Sequence, residues 1–78
     1  MPLYPRIRAL REDRDLTQET VGKAIHVSQR TYSYYESGQR MIPPDVLSAL
    51  ADYYHTSIDY LVGRTNVFRP YPAAQRPE

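Results

Sequence analysis

Two helix-start signals stand so close together in this chain that little but a turn fits between the helices they open. Thr17 is an N-cap residue type, and Glu19 follows in the first turn, where the helix dipole favours a negative charge. Leu16 and Val21 flank that cap with the spacing of a hydrophobic staple. Ser28 repeats the grammar, with Val27 and Tyr32 as its staple. Val21, Ala24 and Ile25 fall at i, i+3, i+4 and give the first of these helices a core face. Gly22 costs about 1 kcal/mol of helix propensity against Ala; its expected role is to let a second helix approach closely.

Only His26, Val27 and Ser28 separate the two segments, and two short helices joined by so brief a turn form a helix-turn-helix unit. Helical segments flank it on both sides. One runs from about Pro5 to Arg14, with Leu3, Ile7 and Leu10 as its apolar stripe and Arg6, Arg8, Arg11 and Arg14 on other faces. Gly38 closes the Ser28 helix at a position suited to positive φ. Pro43-Pro44 open a fourth helix with Leu47, Leu50, Ala51 and Tyr54 as its stripe. Ser57 caps a fifth, with Ile58, Leu61 and Val62 expected inward and Gly63 ending it. Beyond Arg64, prolines 70, 72 and 77 preclude regular structure. The reading is therefore all-α: a five-helix domain over residues 1–63 and a Pro-rich extended or disordered tail over 64–78.

The remaining composition narrows the function classes. A chain of 78 residues buries only roughly 60% of its unfolded surface, so its stability margin is thin. It has no cysteine for a disulfide or thiolate metal site. No apolar run is long enough to span a bilayer, and MPLYPRIRAL lacks a signal-peptide core, so a cytoplasmic location is expected. His26 and His55 stand at helix ends without clustered acids, which suits caps better than metal ligands. Glu12, Asp13 and Asp15 lack the spacing of a calcium loop, and no nucleophile elbow frames any serine. No catalysis, cofactor or metal is expected.

Charge is unevenly spread. Residues 1–40 carry seven Lys/Arg against five Asp/Glu, whereas residues 41–63 carry Asp45, Asp52 and Asp59 and no cation. A polyanion would meet the first forty residues, and the acidic stretch would face away. At about 100° per residue, Tyr32 and Tyr35 point inward. Arg30, Ser33, Tyr34 and Ser37 point outward, with Gln29 at the shoulder. Gln can bond adenine bidentately, Arg can bond guanine, and Ser serves either base; a tyrosine hydroxyl suits a phosphate oxygen. A merely solvated face remains the bland alternative. Tyr53 and Tyr60 lie off the core stripes and, with Phe68 and Tyr71, are candidates for a dimer interface.

The stretch Leu16-Thr17-Gln18-Glu19-Thr20-Val21-Gly22-Lys23-Ala24-Ile25-His26-Val27-Ser28 resembles the signature of the lambda-repressor/Cro-like (XRE) family, L-T-Q-x-x-[apolar]-[small]-x-x-[apolar]-G-V-S. Tyr35-Glu36-Ser37-Gly38 resembles that family's W/Y-E-x-G helix end. Leu50–Tyr54 and Ser57–Leu61 resemble its fourth and fifth helices. The resemblance covers about residues 6–63 and rests on ordered motifs rather than on any one tripeptide. It implies that Gln18 touches a phosphate and braces the recognition helix, and that Ser28 caps that helix beside the DNA backbone. It implies further that Gln29, Arg30, Ser33 and Tyr34 face the major groove, and that Arg40 reaches a flanking phosphate. Arg11 and Glu36 match positions that form a partly buried ion pair in the family. The chain departs from the pattern at His26 and His55, where the family has Gly, and in carrying a single cation between helices three and four. The implied function is a double-stranded DNA-binding transcriptional regulator, a repressor, acting as a homodimer on a pseudo-palindromic operator. Its self-association surface would lie in helix five and the tail, at Tyr60, Val67 and Phe68. The alternative is an antitoxin-like module that binds a partner protein.

Overall fold

Isolated helices below about 12–15 residues are marginal in water, and the longest helix among the described residues has 11 residues. Their stability has to come from end chemistry and packing. A computed structural model describes residues 4–70, which form α1 (Pro5–Asp13), α2 (Gln18–Ala24), α3 (Gln29–Ser37), α4 (Pro44–Tyr54) and α5 (Ile58–Leu61). The described residues contain no strand, and the fold is the all-α, five-helix one expected. Leu3 and Tyr71 lie outside the described residues.

The helix starts follow the residue types. Thr17 accepts a hydrogen bond from the Thr20 N–H at 3.0 Å, Ser28 from Thr31 at 3.1 Å and Ser57 from Tyr60 at 3.0 Å. The helix ends share one device. After each helix a residue enters the left-handed region, and the next N–H bonds back to a carbonyl five positions earlier, as in a Schellman motif. The left-handed residues are Asp15, His26, Gly38, His55 and Gly63. The closing bonds run from Leu16 to Arg11, Val27 to Gly22, Gln39 to Tyr34, Thr56 to Ala51 and Arg64 to Asp59. The two histidines read as caps take this position, where the resembled family has Gly. Asp15 was not foreseen as a left-handed residue, although short polar side chains tolerate this region.

The core joins Ile7 and Leu10 of α1, Val21 of α2, Tyr32 and Tyr35 of α3, Leu50, Ala51 and Tyr54 of α4, and Leu61 of α5. Tyr4, Ile25 and Ile42 complete it from the connections, and the Ile42 N–H donates to the Tyr4 hydroxyl at 3.3 Å. Two expectations fail here. Ala24 is exposed because α2 turns Val21 and Gly22 inward instead. Ile58 is 37% exposed because α5 is a single turn whose buried residue is Leu61. Gly22 also serves differently from the expectation: an added Cβ would meet the backbone oxygens of Val27 at 3.0 Å and Ser28 at 3.4 Å. The close approach is therefore that of the turn, and the Val27 N–H bonded to the Gly22 carbonyl at 2.9 Å holds it there.

Residues 64–70 have no helix or strand but lie against the domain. The Arg6 guanidinium donates to the Tyr60 carbonyl at 2.8 Å, to the Thr65 carbonyl and to Asn66 Oδ1 at 2.6 Å. Thr56 Oγ1 donates to the Phe68 carbonyl at 2.6 Å. Arg6 lies 4.2 Å from the Tyr60 ring centre, Tyr60 meets Phe68 edge-on at 5.2 Å, and Arg14 lies between the Phe68 and Tyr54 rings. Tyr60 and Phe68 thus have places within one chain, and Val67 is the more exposed at 61%.

Backbone geometry sets opposite signs for two substitutions. Gly22→Ala should gain about 1 kcal/mol of helix propensity but force a backbone carbonyl aside, an overpacking cost of about 1–3 kcal/mol. The expected net is a loss of stability. His55→Gly removes a left-handed penalty of about 1–2 kcal/mol, partly offset by glycine's freer unfolded state. Thermal unfolding should show a lower Tm for the first variant and a higher one for the second. The reverse order would refute this account of the turns.

Candidate nucleic-acid interface

α3 has two faces with different chemistry. Its inner face carries Tyr32, Tyr35 and Glu36, all buried. A buried carboxylate is costly unless paired and hydrogen-bonded, and Glu36 is both. Arg11 Nε donates to one carboxylate oxygen at 2.6 Å and Arg11 Nη2 to the other at 3.1 Å, a bidentate pair between side chains 14% and 5% exposed. Gln18 Nε2 adds a third bond at 3.2 Å, and Arg11 Nη1 donates to the Leu16 carbonyl at 2.9 Å. α1, the α1–α2 turn, α2 and α3 therefore meet in one polar cluster. Burial pushes the Glu36 carboxyl up, but the bonds from Arg11 and Gln18, the facing Tyr32 hydroxyl and the Arg11 charge outweigh it, and its pKa lies below the ordinary value of 4.5. Burial first, then the Glu36 carboxylate, keeps the Tyr32 hydroxyl neutral, although that hydroxyl closes no hydrogen bond of its own. Burial likewise pushes Tyr54 up to about 12.

The outer face carries Gln29, Arg30, Ser33 and Tyr34, which line one open concavity together with Gln18. No hydrogen bond or ion pair among the described residues engages the Gln29, Arg30 or Ser33 side chains. Ser28, exposed, is occupied by its cap and by a 3.0 Å bond to the Thr31 hydroxyl. Arg40 lies beyond α3 with its guanidinium 5.3 Å from the Tyr34 ring centre. A neighbouring polar hollow is lined by Arg8, Arg11, Gln18, Ser33, Glu36 and Ser37. Arg8 was not singled out in the sequence because it shares α1 with three other arginines, and only the packing of α1 beside α3 distinguishes it.

The fold also sorts the cations. Arg8 and Lys23 pair with Glu12 and Glu19 on exposed helix surface, at 3.3 and 3.4 Å, and Arg11 is held by Glu36. Arg6 and Arg14 lie against the aromatic rings near the C-terminal segment. Arg30 and Arg40 are left beside the α3 concavity without a carboxylate among the described residues. No helix of the described residues is long and apolar enough to cross a membrane.

A second helix set on the first by a tight turn, locked from within and polar on its outer face, defines the helix-turn-helix class. Residues 7–61 match the helix-turn-helix family, and the chain belongs to it. It is 35% identical over 71 residues to the HTH-type transcriptional regulator YobD of Bacillus subtilis (strain 168), covering 91% of this chain and 62% of that protein. It is 39% identical over 64 residues to the cryptic phage CTXphi transcriptional repressor RstR of Vibrio cholerae, covering 80% of this chain and 58% of that one. The chain thus spans about three fifths of the length of these relatives. The crystal structure of the P22 c2 repressor in complex with synthetic operator 9T superposes with a TM-score of 0.73 at 31% identity. That match covers 80% of this chain and 94% of the repressor chain. The lambda-repressor/Cro-like resemblance seen in the sequence holds in three dimensions.

Because Glu36 is held below its ordinary pKa, its ionised form stabilises the fold. That contribution is complete above pH 4.5 and is lost as pH falls through the lowered folded value. Glu36→Gln should cost about 3 kcal/mol near neutrality by leaving Arg11 without its charge partner. It should also remove part of the acid-side decline in stability. Urea unfolding of both proteins across the acid range tests this; an unchanged acid slope would exclude Glu36 as its source.

Proposed function

We propose that this domain binds double-stranded DNA sequence-specifically and regulates transcription, acting as a repressor rather than as an enzyme. The observation that carries the reading is the outer face of α3, where Gln29, Arg30 and Ser33 are exposed or half-exposed and unengaged beside Gln18. Base readers need free donors and acceptors on a helix that enters the major groove, and these side chains supply them. In this reading Gln29, Arg30 and Ser33 meet base edges, Ser28 and Gln18 lie along the backbone, and Tyr34 and Arg40 stand at the flank. The operator complex of the P22 c2 repressor supports the mode of binding. The relatives named as transcriptional regulators favour it over an antitoxin-like partner-binding module.

One recognition helix covers too few base pairs to select a site in a genome. We therefore propose a two-fold homodimer on a pseudo-palindromic operator, with its α3 helices about 34 Å apart. A cytoplasmic location follows from that partner. Ile58, Val67 and Phe68 are exposed apolar side chains of α5 and the segment after it, available for self-association.

Affinity should fall with salt. The two unpaired arginines beside α3 predict a slope of log K on log salt of about −2 per protomer, steeper if Arg8 and Lys23 leave their exposed partners. Arg30→Ala should cost about 1–3 kcal/mol on the selected site and relax preference at one base pair. Gln18→Ala should weaken all sequences alike. Selection from random duplexes followed by salt titration of each variant provides the measurement. Binding indifferent to salt would remove the DNA reading, and identical sequence-independent losses in both variants would reduce Arg30 to a backbone contact.

A further inference from the structure

Arg40 follows α3 in an exposed connection, where a long side chain would ordinarily sample many rotamers. Two features here restrict it. Its backbone N–H and that of Gln39 both donate to the Tyr34 carbonyl, at 3.3 and 3.0 Å, and Ser37 Oγ donates to the same oxygen at 3.2 Å. Its guanidinium lies over the ring of that same residue, 5.3 Å from the centre. Main chain and side chain of Arg40 are thus both registered to one residue of the outer face of α3. Tyr34 is half-buried, so its ring is a firmer platform than a freely rotating side chain would be. A guanidinium on an aromatic face keeps its N–H edge free for an anion.

We infer that Tyr34 is a positioning residue: its ring holds Arg40 ready to meet a backbone phosphate, and its hydroxyl is dispensable. This deepens the DNA-binding reading and rests on it. A cation ordered before binding loses less entropy on contact, so Tyr34 acts on affinity through Arg40 and not through a base.

The test is a double-mutant cycle on a fluorescein-labelled duplex of mixed sequence, because a phosphate contact is independent of sequence. Arg40→Ala should weaken binding by about tenfold and reduce the salt slope by about 1. Tyr34→Leu should lose about three- to tenfold through weaker ordering of Arg40. Tyr34→Phe should stay within about twofold, and Tyr34→Leu/Arg40→Ala should be no worse than Arg40→Ala alone. In the free protein, the Arg40 side-chain protons should show ring-current NMR shifts that persist in Tyr34→Phe and vanish in Tyr34→Leu. Additive losses, a Tyr34→Phe variant as weak as Tyr34→Leu, or absence of the ring-current shifts would overturn the inference. If the unsubstituted protein does not bind the duplex at all, the DNA reading fails instead, while the shifts still report whether the pair forms.

Discussion

The bidentate contact between Arg11 and Glu36 holds the rest of the structure in register. It spans 25 positions and joins α1 to the inner face of α3, where a lone carboxylate would be intolerable. Desolvation offsets much of the attraction in such a pair, so its main contribution is direction. A planar guanidinium fork accepts a carboxylate in few orientations. Gln18 and the Leu16 carbonyl occupy further valences of the same cluster, so the α1–α2 turn and the start of α2 are set with it. With its inner face fixed at Glu36, α3 can expose the opposite face without drifting.

Around that cluster the domain is economical in length. Helices of 4 to 11 residues are assembled by repeating one start and one stop. A hydroxyl cap opens α2, α3 and α5, and a left-handed residue with a back-bonded N–H closes all five helices. The stop ends each helix within two residues, which lets short helices pack on one core without long connections. His26 and His55 accept some backbone strain to do this, and Gly22 supplies the close contact that the turn before α3 demands.

The segment after α5 broadens the folded unit. Through Arg6, Thr56 and the ring contacts of Tyr60 and Phe68, residues 65–68 bridge α1 and α5. Arg6 is drawn into this bridge and half-buried, while Arg14 stays exposed beside the Tyr54 and Phe68 rings.

Local chemistry determined much of this protein by itself. Thr17, Ser28 and Ser57 as caps, the left-handed Gly38, and the inward Tyr32 and Tyr35 all follow from neighbours a few residues away. Rules of such short range are legible in sequence. The Arg11–Glu36 pairing was implied by family resemblance alone, since nothing in the spacing connects residues so far apart. Tertiary structure decided which cations meet a carboxylate, and left Arg30 and Arg40 beside α3 without one among the described residues. It also turned Ala24 and Ile58 outward, since one or two helical turns leave the buried side to packing rather than to periodicity. It placed Arg8 beside α3, set Arg40 over the Tyr34 ring and docked residues 65–68. Each of these depends on groups brought together through space, and the chain's linear order carries no record of such distances.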